Sequence, residues 1–484
     1  MTARRYHDGI DPAPPPRIIH GEVAMSLSLV LAAVLAAPPA SGVPRTLRLD
    51  YFHTGNANEE RLSLDGVVRE GPWPGNPARP IDDTNLGKYR FEVRERATNR
   101  LVYSRGYASI YGEWETTDEA KRLARTFHES LRFPEPSAPV QVTVLRRAAD
   151  GLFRELWTLA VDPGDPAIDR AEPSGSVWAV LENGPPAQKV DLLLLGDGYT
   201  AAEMDKWHRD ARRLTEILFR TSPFKERRQD FNVWAVDTPS PESGVARPSD
   251  GVARRSALRA TYDAFGSERY VLAFDNKRLR EAAAAAPYDV VEVVVNGRKY
   301  GGGGIFNLYA TVASDNAFTP YVFVHEFGHH FAGLADEYYT SDVAYGASAE
   351  RPEPWEPNAT ANPLAPKWKD LVTPGTPLPT PWSKQAFEAA QAQIQARRRK
   401  IRAQGRPEEE MEALFREEQQ QMDALLAQGD HAHAVGAFEG AAYEAKGYFR
   451  AEANCIMFTR QTSFCAACRR GIERVIDLYA QPAR

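Results

Sequence analysis

The sequence predicts an α+β chain of more than one domain: an antiparallel β-sandwich, then an α/β layer interrupted by a helical hairpin. Three observations lead there. Residues 46 to about 165 alternate apolar and polar side chains with period two, as half-buried strands do. Beyond a proline- and glycine-rich stretch, continuous apolar runs alternate with helical patterns, as in strands buried on both faces. The length, 484 residues, exceeds one ordinary domain.

The first element is an address. Met25 to Ala40 reads MSLSLVLAAVLAAPPA. Its apolar stretch, Leu27 to Ala37, falls short of the about 20 residues a spanning helix needs. Small residues follow it, as at a cleavage site. Residues 1–42 are therefore expected to be a signal-peptide region, with Met25 the true start and an over-extended reading before it. The protein is expected to be secreted or periplasmic; a membrane anchor is the competing reading. No second stretch is long enough to cross a membrane. Apolar residues make up 43% and charged residues 26%, ample for a core without metals or disulfides. The net charge of −6 gives no footprint for nucleic acid.

Residues 43–165 form the expected sandwich. Leu47, Leu49 and Tyr51 share one face, as do Tyr89, Phe91 and Val93, and Val140, Val142 and Val144. Gly71 to Gly75 is a turn, and a short helix is expected from Asp118 to Leu131. Nothing here has catalytic spacing. Pro163, Pro166 and Pro173 point to a linker, placed at 166–185.

The third unit, residues 186–484, begins with the buried strand Val190 to Leu195. Gly196-Asp-Gly198 lacks the residues of a phosphate loop and reads as a plain turn. Thr200 and Glu203 then form a capping box. Further strands are expected at Phe231 to Val236, Tyr270 to Phe274 and Asp289 to Val295. An αα-hairpin is inserted at 384–427, broken at Gly405-Arg-Pro407. Its basic run, Arg397 to Lys400, reads as a solvated helix face. The hairpin either restricts a cleft or forms a dimer contact.

His325-Glu-Phe-Gly-His329 matches H-E-x-x-H. On a helix, residues i and i+4 stand one above the other, so both imidazoles point at one spot. Zn²⁺ fits there at about 2.0–2.1 Å from each nitrogen. Glu326 projects beside that spot, where it can take a proton from water. Gly333 is placed to end the helix in a left-handed cap. Asp336 follows three residues later, as the third ligand does in H-E-x-x-H-x-x-G-x-x-H. Here one residue is added before the glycine and Asp replaces the last His. Asp336 is thus the third ligand, with Glu337 its competitor; His330 is second to the metal or exposed. Met457, in Asn454-Cys-Ile-Met-Phe458, reads as a Met-turn beneath the imidazoles. Gly302, Gly303 and Gly304 read as a bulged edge strand where an extended peptide can add, or as a flexible loop.

His325 to Tyr338, with Tyr300 to Tyr309 and Cys455 to Cys468, resembles the IgA-peptidase (igalysin) family of secreted zinc metallopeptidases. Tyr51 to Asn56 and Pro80 to Asn85 resemble the β-rich N-terminal domain that accompanies that peptidase. The resemblance implies a zincin-like catalytic domain of metzincin type, with His325 and His329 as zinc ligands and Glu326 as general base. It does not imply immunoglobulin A as substrate. Cys455, Cys465 and Cys468 have three readings: a disulfide from Cys455 to one of the others, reduced structural thiols, or a second zinc site lacking a fourth ligand.

The expected function is zinc-dependent endopeptidase action on a protein or peptide. Tyr448, or else Tyr443, is the candidate to stabilise the oxyanion. The competing class is a non-catalytic module that binds protein or glycan around a structural metal. Glu326 speaks against it, because a structural site needs no base and normally has four protein ligands. Hydrolysis of other amides, such as cell-wall peptide, is a third possibility.

Overall fold

The computed structural model describes residues 42–340 and 351–480, and the expected signal region, apart from Gly42, lies outside them. Two antiparallel sheets open the chain. Their strands are β1 (Arg45–Gly55), β2 (Glu60–Pro72), β3 (Tyr89–Glu95), β4 (Leu101–Tyr107), β5 (Arg125–Pro134), β6 (Val140–Arg147) and β7 (Phe153–Val161). One sheet has the order β2-β1-β5 and the other β4-β3-β6-β7. Leu47, Leu49 and Tyr51 from the first meet Phe91, Val142 and Val144 from the second in one core.

The helix expected at 118–131 is absent. The short helix α1 is Ile110–Trp114, and β5 pairs with β1 along its whole length. Phe127, Glu129, Leu131 and Phe133 are buried at alternate positions, so the period is two and not 3.6. α1 packs into the larger core beyond the sandwich through Ile110, Tyr111 and Trp114.

That core surrounds a second, mixed sheet. Its elements begin with β8 (Ser176–Leu181), β9 (Val190–Asp197), α2 (Met204–Leu218) and β10 (Phe231–Asp237). Then come a small pair, β11 (Ala260–Thr261) and β12 (Leu272–Ala273), and α3 (Asn276–Ala283). β13 (Val290–Val295), β14 (Gly302–Ile305), β15 (Tyr309–Ala313) and α4 (Thr319–Ala332) complete it. The order is β14-β15-β13-β9-β10-β8. The four inner strands run parallel, and the two edge strands run antiparallel to their neighbours. β9 and β13 are buried throughout, as continuous apolar strands between helices should be. β8 lies in the segment read as linker. It is a half-exposed edge strand, SVWAVL, whose short apolar run follows the prolines closely.

The rest comprises β16 (Ala359–Thr360), α5 (Lys384–Ala403), α6 (Glu408–Leu426), β17 (Phe438–Ala441), β18 (Glu444–Arg450) and α7 (Ala466–Tyr479). α5 and α6 are the expected hairpin. Phe415 on α6 docks edge-on against Tyr300 and Phe318, beside the start of α4. Among the described residues no helix is long and apolar enough to cross a membrane.

Candidate metal centre

α4 is apolar on nearly every side, and Val322, Phe323, Val324, Phe327 and Phe331 are all buried. Pro320 sits in its first turn, where no intrahelical N–H is lost. Gly333 ends it at φ 59°, a left-handed cap that a side chain would strain. The Gly333 and Leu334 N–H groups close the last turn on the His329 and Gly328 carbonyls. The chain then leaves in a new direction and brings Asp336 back beneath the helix.

His325 and His329 converge, with their Nε2 atoms 3.1 Å apart. Asp336 Oδ1 stands 3.0 Å from the first and 3.3 Å from the second. Each ring is oriented from behind. His325 Nδ1 faces the Ile456 carbonyl at 3.0 Å and His329 Nδ1 the Leu334 carbonyl at 2.5 Å. A carbonyl only accepts, so both Nδ1 atoms carry hydrogen, and each ring in its neutral form turns a bare lone pair inward. Asp336 Oδ1 is buried without a hydrogen-bond partner, although it lies between two nitrogens. Three electron pairs therefore face one point, an arrangement that calls for a cation. Ligands about 2.0–2.1 Å from a tetrahedral Zn²⁺ stand roughly 3.3 Å from one another, so the spacing fits.

The electrostatics agree. Burial opposes a charged His329, yet the Asp336 carboxylate overrides it and lifts the imidazole to about 9. Burial likewise works against an ionised Asp336, but His329 and His325 hold it well below the usual carboxylate range. The pocket asks for positive charge at this point, whether as a proton or as a metal ion.

Glu326 offers a carboxylate oxygen within 4.8 Å of both imidazoles. Burial pushes its pKa up, and Asp336 adds to the rise. Behind it on β13 lies Glu292, fully buried, with neither carboxyl oxygen hydrogen-bonded. Burial and the Glu326 charge hold Glu292 well above the usual range. The sequence did carry a signal for it, a lone carboxylate in the apolar run VVEVVV.

Other expectations change on the structure. Asp336 joins the imidazoles, and Glu337 turns the opposite way, toward the cysteines. Tyr448 donates its hydroxyl to the Pro352 carbonyl at 3.1 Å, and it is Tyr443 that reaches the site. His330 is neither exposed nor at the metal point. It is buried and bolts α4 to the sheet, with Nδ1 facing the Ile305 carbonyl and Nε2 accepting from the Val291 N–H, each at 3.1 Å. Burial lowers its pKa to about 3 and keeps it neutral. Arg269, which no motif marks, donates to the Tyr338 hydroxyl at 2.9 Å, and the Tyr338 ring stacks toward His325.

The glycines of β14 lie at the sheet edge and let α4 approach. A Cβ on Gly304 would stand 2.3 Å from the Glu326 carbonyl oxygen and 2.9 Å from His329 Cβ. A Cβ on Gly303 would meet the Tyr270 ring. At Gly302 the outer edge is already taken: its N–H and carbonyl pair with Arg269 and Val271. Met457 Sδ lies under the helix, 3.4 Å from where a Cβ on Gly328 would be.

Two family models match the chain. That of IgA Peptidase M64 matches residues 178–476, and that of the Peptidase M64 N-terminus matches residues 41–158. No curated protein matches it.

Proposed function

Because this chain belongs to the IgA peptidase M64 family, whose members are metallopeptidases, we propose that it is an exported, zinc-dependent endopeptidase. The observation that carries this reading is the meeting of two inward imidazole lone pairs and the unpartnered Asp336 oxygen.

His325, His329 and Asp336 would hold the ion, three protein ligands with one position left open, as catalytic zinc sites have. When bound, Zn²⁺ supplies Lewis acidity toward a carbonyl and lowers the pKa of water. Glu326 takes the proton of the attacking water. Its raised pKa brings it nearer neutrality, where a general base works well. The same carboxyl then hands the proton to the leaving amine. Burial of His325, Glu326 and Asp336 limits their contact with bulk water and strengthens each of these interactions. The Gly304 stretch of β14, beyond the paired Gly302, is where an extended peptide would lie along the sheet edge. The reading takes the domain as zincin-like and of metzincin type, with Met457 as its apolar floor and an N-terminal signal peptide for export. Its substrate class is protein or peptide.

The test compares wild type with Glu326→Ala by metal analysis and by digestion of casein or a peptide library. The variant should keep its metal and lose about 10²–10⁴-fold in cleavage. A fully active variant would refute the base. A wild-type protein that holds metal and cleaves no peptide would leave only a binding module.

A further inference from the structure

The Asp336–Glu337 pair points two ways. Asp336 faces the imidazoles, and Glu337 sends its carboxylate into a separate buried pocket. Glu337 Oε1 lies 3.5 Å from Cys468 Sγ and 3.7 Å from Cys465 Sγ, and Cys455 Sγ lies 3.7 Å from Cys468 Sγ. The four donor atoms all lie within 4.8 Å of one another. None of the four residues is more than 1% exposed. Sulfur ligands about 2.3 Å from a tetrahedral ion stand roughly 3.8 Å apart, so the cage has the size of a metal–thiolate site.

We propose that Glu337, Cys455, Cys465 and Cys468 bind a second divalent cation, Zn²⁺ by the chemistry of three sulfurs and one oxygen, in a closed structural site. Four protein ligands leave no open position, which separates it in kind from the His325 site.

Three features support the assignment. First, Glu337 is a carboxylate at zero exposure whose Oε1, turned to the sulfurs, has only the Asn358 amide as a donor other than the thiols, and whose Oε2 has no hydrogen-bond partner, so the group lacks the positive charge that an ion beside Oε1 would supply. Second, backbone N–H groups converge on sulfur as they do on thiolates. Met457 and Cys465 donate to Cys455 Sγ at 3.5 and 3.3 Å, and Cys468 donates to Cys465 Sγ at 3.5 Å. Cys465 is also the N-cap of α7, where the helix dipole favours negative charge. Third, a positive charge stands ready for the excess negative charge of three thiolates and a carboxylate. Arg450 is wholly buried close by, and its guanidinium bonds only backbone carbonyls among the described residues.

The site has a consequence for catalysis. It ties the Met457 turn and the start of α7 to the segment that carries Asp336. The Glu337 N–H already donates to the Met457 carbonyl at 2.8 Å. The second ion thereby positions the third ligand of the first without touching substrate.

The test uses the full chain, loaded with Zn²⁺ and then with Co²⁺. Metal analysis should find two equivalents, and the cobalt form should show thiolate-to-metal charge-transfer absorption. Cys468→Ser should lose one equivalent and that absorption. His329→Ala should lose the other equivalent and keep the absorption, which separates this proposal from the peptidase reading. Where the cysteine variant fails to fold, the wild-type cobalt spectrum and His329→Ala decide alone. One equivalent in wild type with no thiolate absorption would overturn the proposal. So would a chain lighter by two hydrogens with Cys455 disulfide-bonded to Cys465 or Cys468.

Discussion

Tyr443 donates its phenolic hydrogen to Asp336 Oδ2 at 2.5 Å across 107 positions of sequence. The hairpin that carries it is strained for the purpose. Ala442 and Tyr443 form the two-residue turn between β17 and β18, at φ 51° and 64°, where non-glycine residues are rare. The Ala442 N–H bonds the Asp336 carbonyl and the Tyr443 N–H the Tyr338 carbonyl, so the turn and the ligand segment move as one. With Oδ2 engaged, Oδ1 is left to face the imidazoles. Tyr443→Phe should weaken metal binding about 10- to 100-fold, as loss of such a supporting partner does, with little change in fold. Chelator competition measures it. Unchanged affinity would reduce Tyr443 to a packing residue.

Gly304→Ala should push α4 off the sheet, because its new methyl would fall within 2.3 Å of the Glu326 carbonyl oxygen. Backbone cannot step aside as a flexible side chain can. Overpacking of this kind costs about 1–3 kcal/mol. Activity should fall further than stability, since Glu326 and His329 move together. Gly66→Ala is the control, in a strand with nothing within 4 Å of the new carbon, and should stay within about 0.5 kcal/mol of wild type. Denaturant melts beside peptide cleavage distinguish the two. Equal behaviour of both variants would contradict the close-approach role.

The legible part of this site was local. His325, Glu326, His329 and Gly333 lie within nine residues, where helix geometry alone determines which side chains meet. Asp336 came from the same register, counted through the glycine cap. Which way Glu337 faced could not be read, because that depends on how the chain leaves Gly333 and on cysteines more than a hundred residues on. Tyr443 and Tyr448 were equivalent in sequence; the turn at Ala442 separates them. β5 was misread because Asp118 to Leu131 is rich in helix formers, and pairing with β1 outweighed that propensity. β8 escapes because its short apolar run, Val177 to Leu181, follows Pro163, Pro166 and Pro173 closely and falls within the stretch those prolines point to as a linker.

Glu292 is a liability to stability wherever it has no role. It is fully buried and without a hydrogen bond on either oxygen, and burial and the Glu326 charge raise its pKa well above the usual carboxylate range. Glu292→Met removes the unpaired polar group at similar volume and should stabilise the fold by about 1–3 kcal/mol, read as a higher melting temperature. Destabilisation would show that unseen partners satisfy the carboxyl. A stabilised variant that has lost cleavage would show that Glu292 acts on Glu326 through its electrostatic field.

His53 links the stability of the N-terminal sheets to pH. It is 1% exposed, stacked on Tyr111, with Nδ1 3.0 Å from Glu129 and Nε2 2.8 Å from Glu60. Burial opposes its charge, but Glu129 and Glu60 prevail and raise it from 6.5 to about 9. The sign follows. Below about pH 6.5 both folded and unfolded chains hold the proton, and the stabilisation is fully present. Between that pH and 9 the unfolded chain has lost the proton while the folded chain keeps it, so folding grows progressively less favourable. Above 9 the contribution is gone. The whole effect is on the order of 3 kcal/mol. Chemical denaturation from pH 6 to 10 should show wild-type stability falling through this window, and His53→Gln should be less stable at pH 6 and flatter across it. Parallel curves for the two proteins would mean that His53 is neutral in the folded chain.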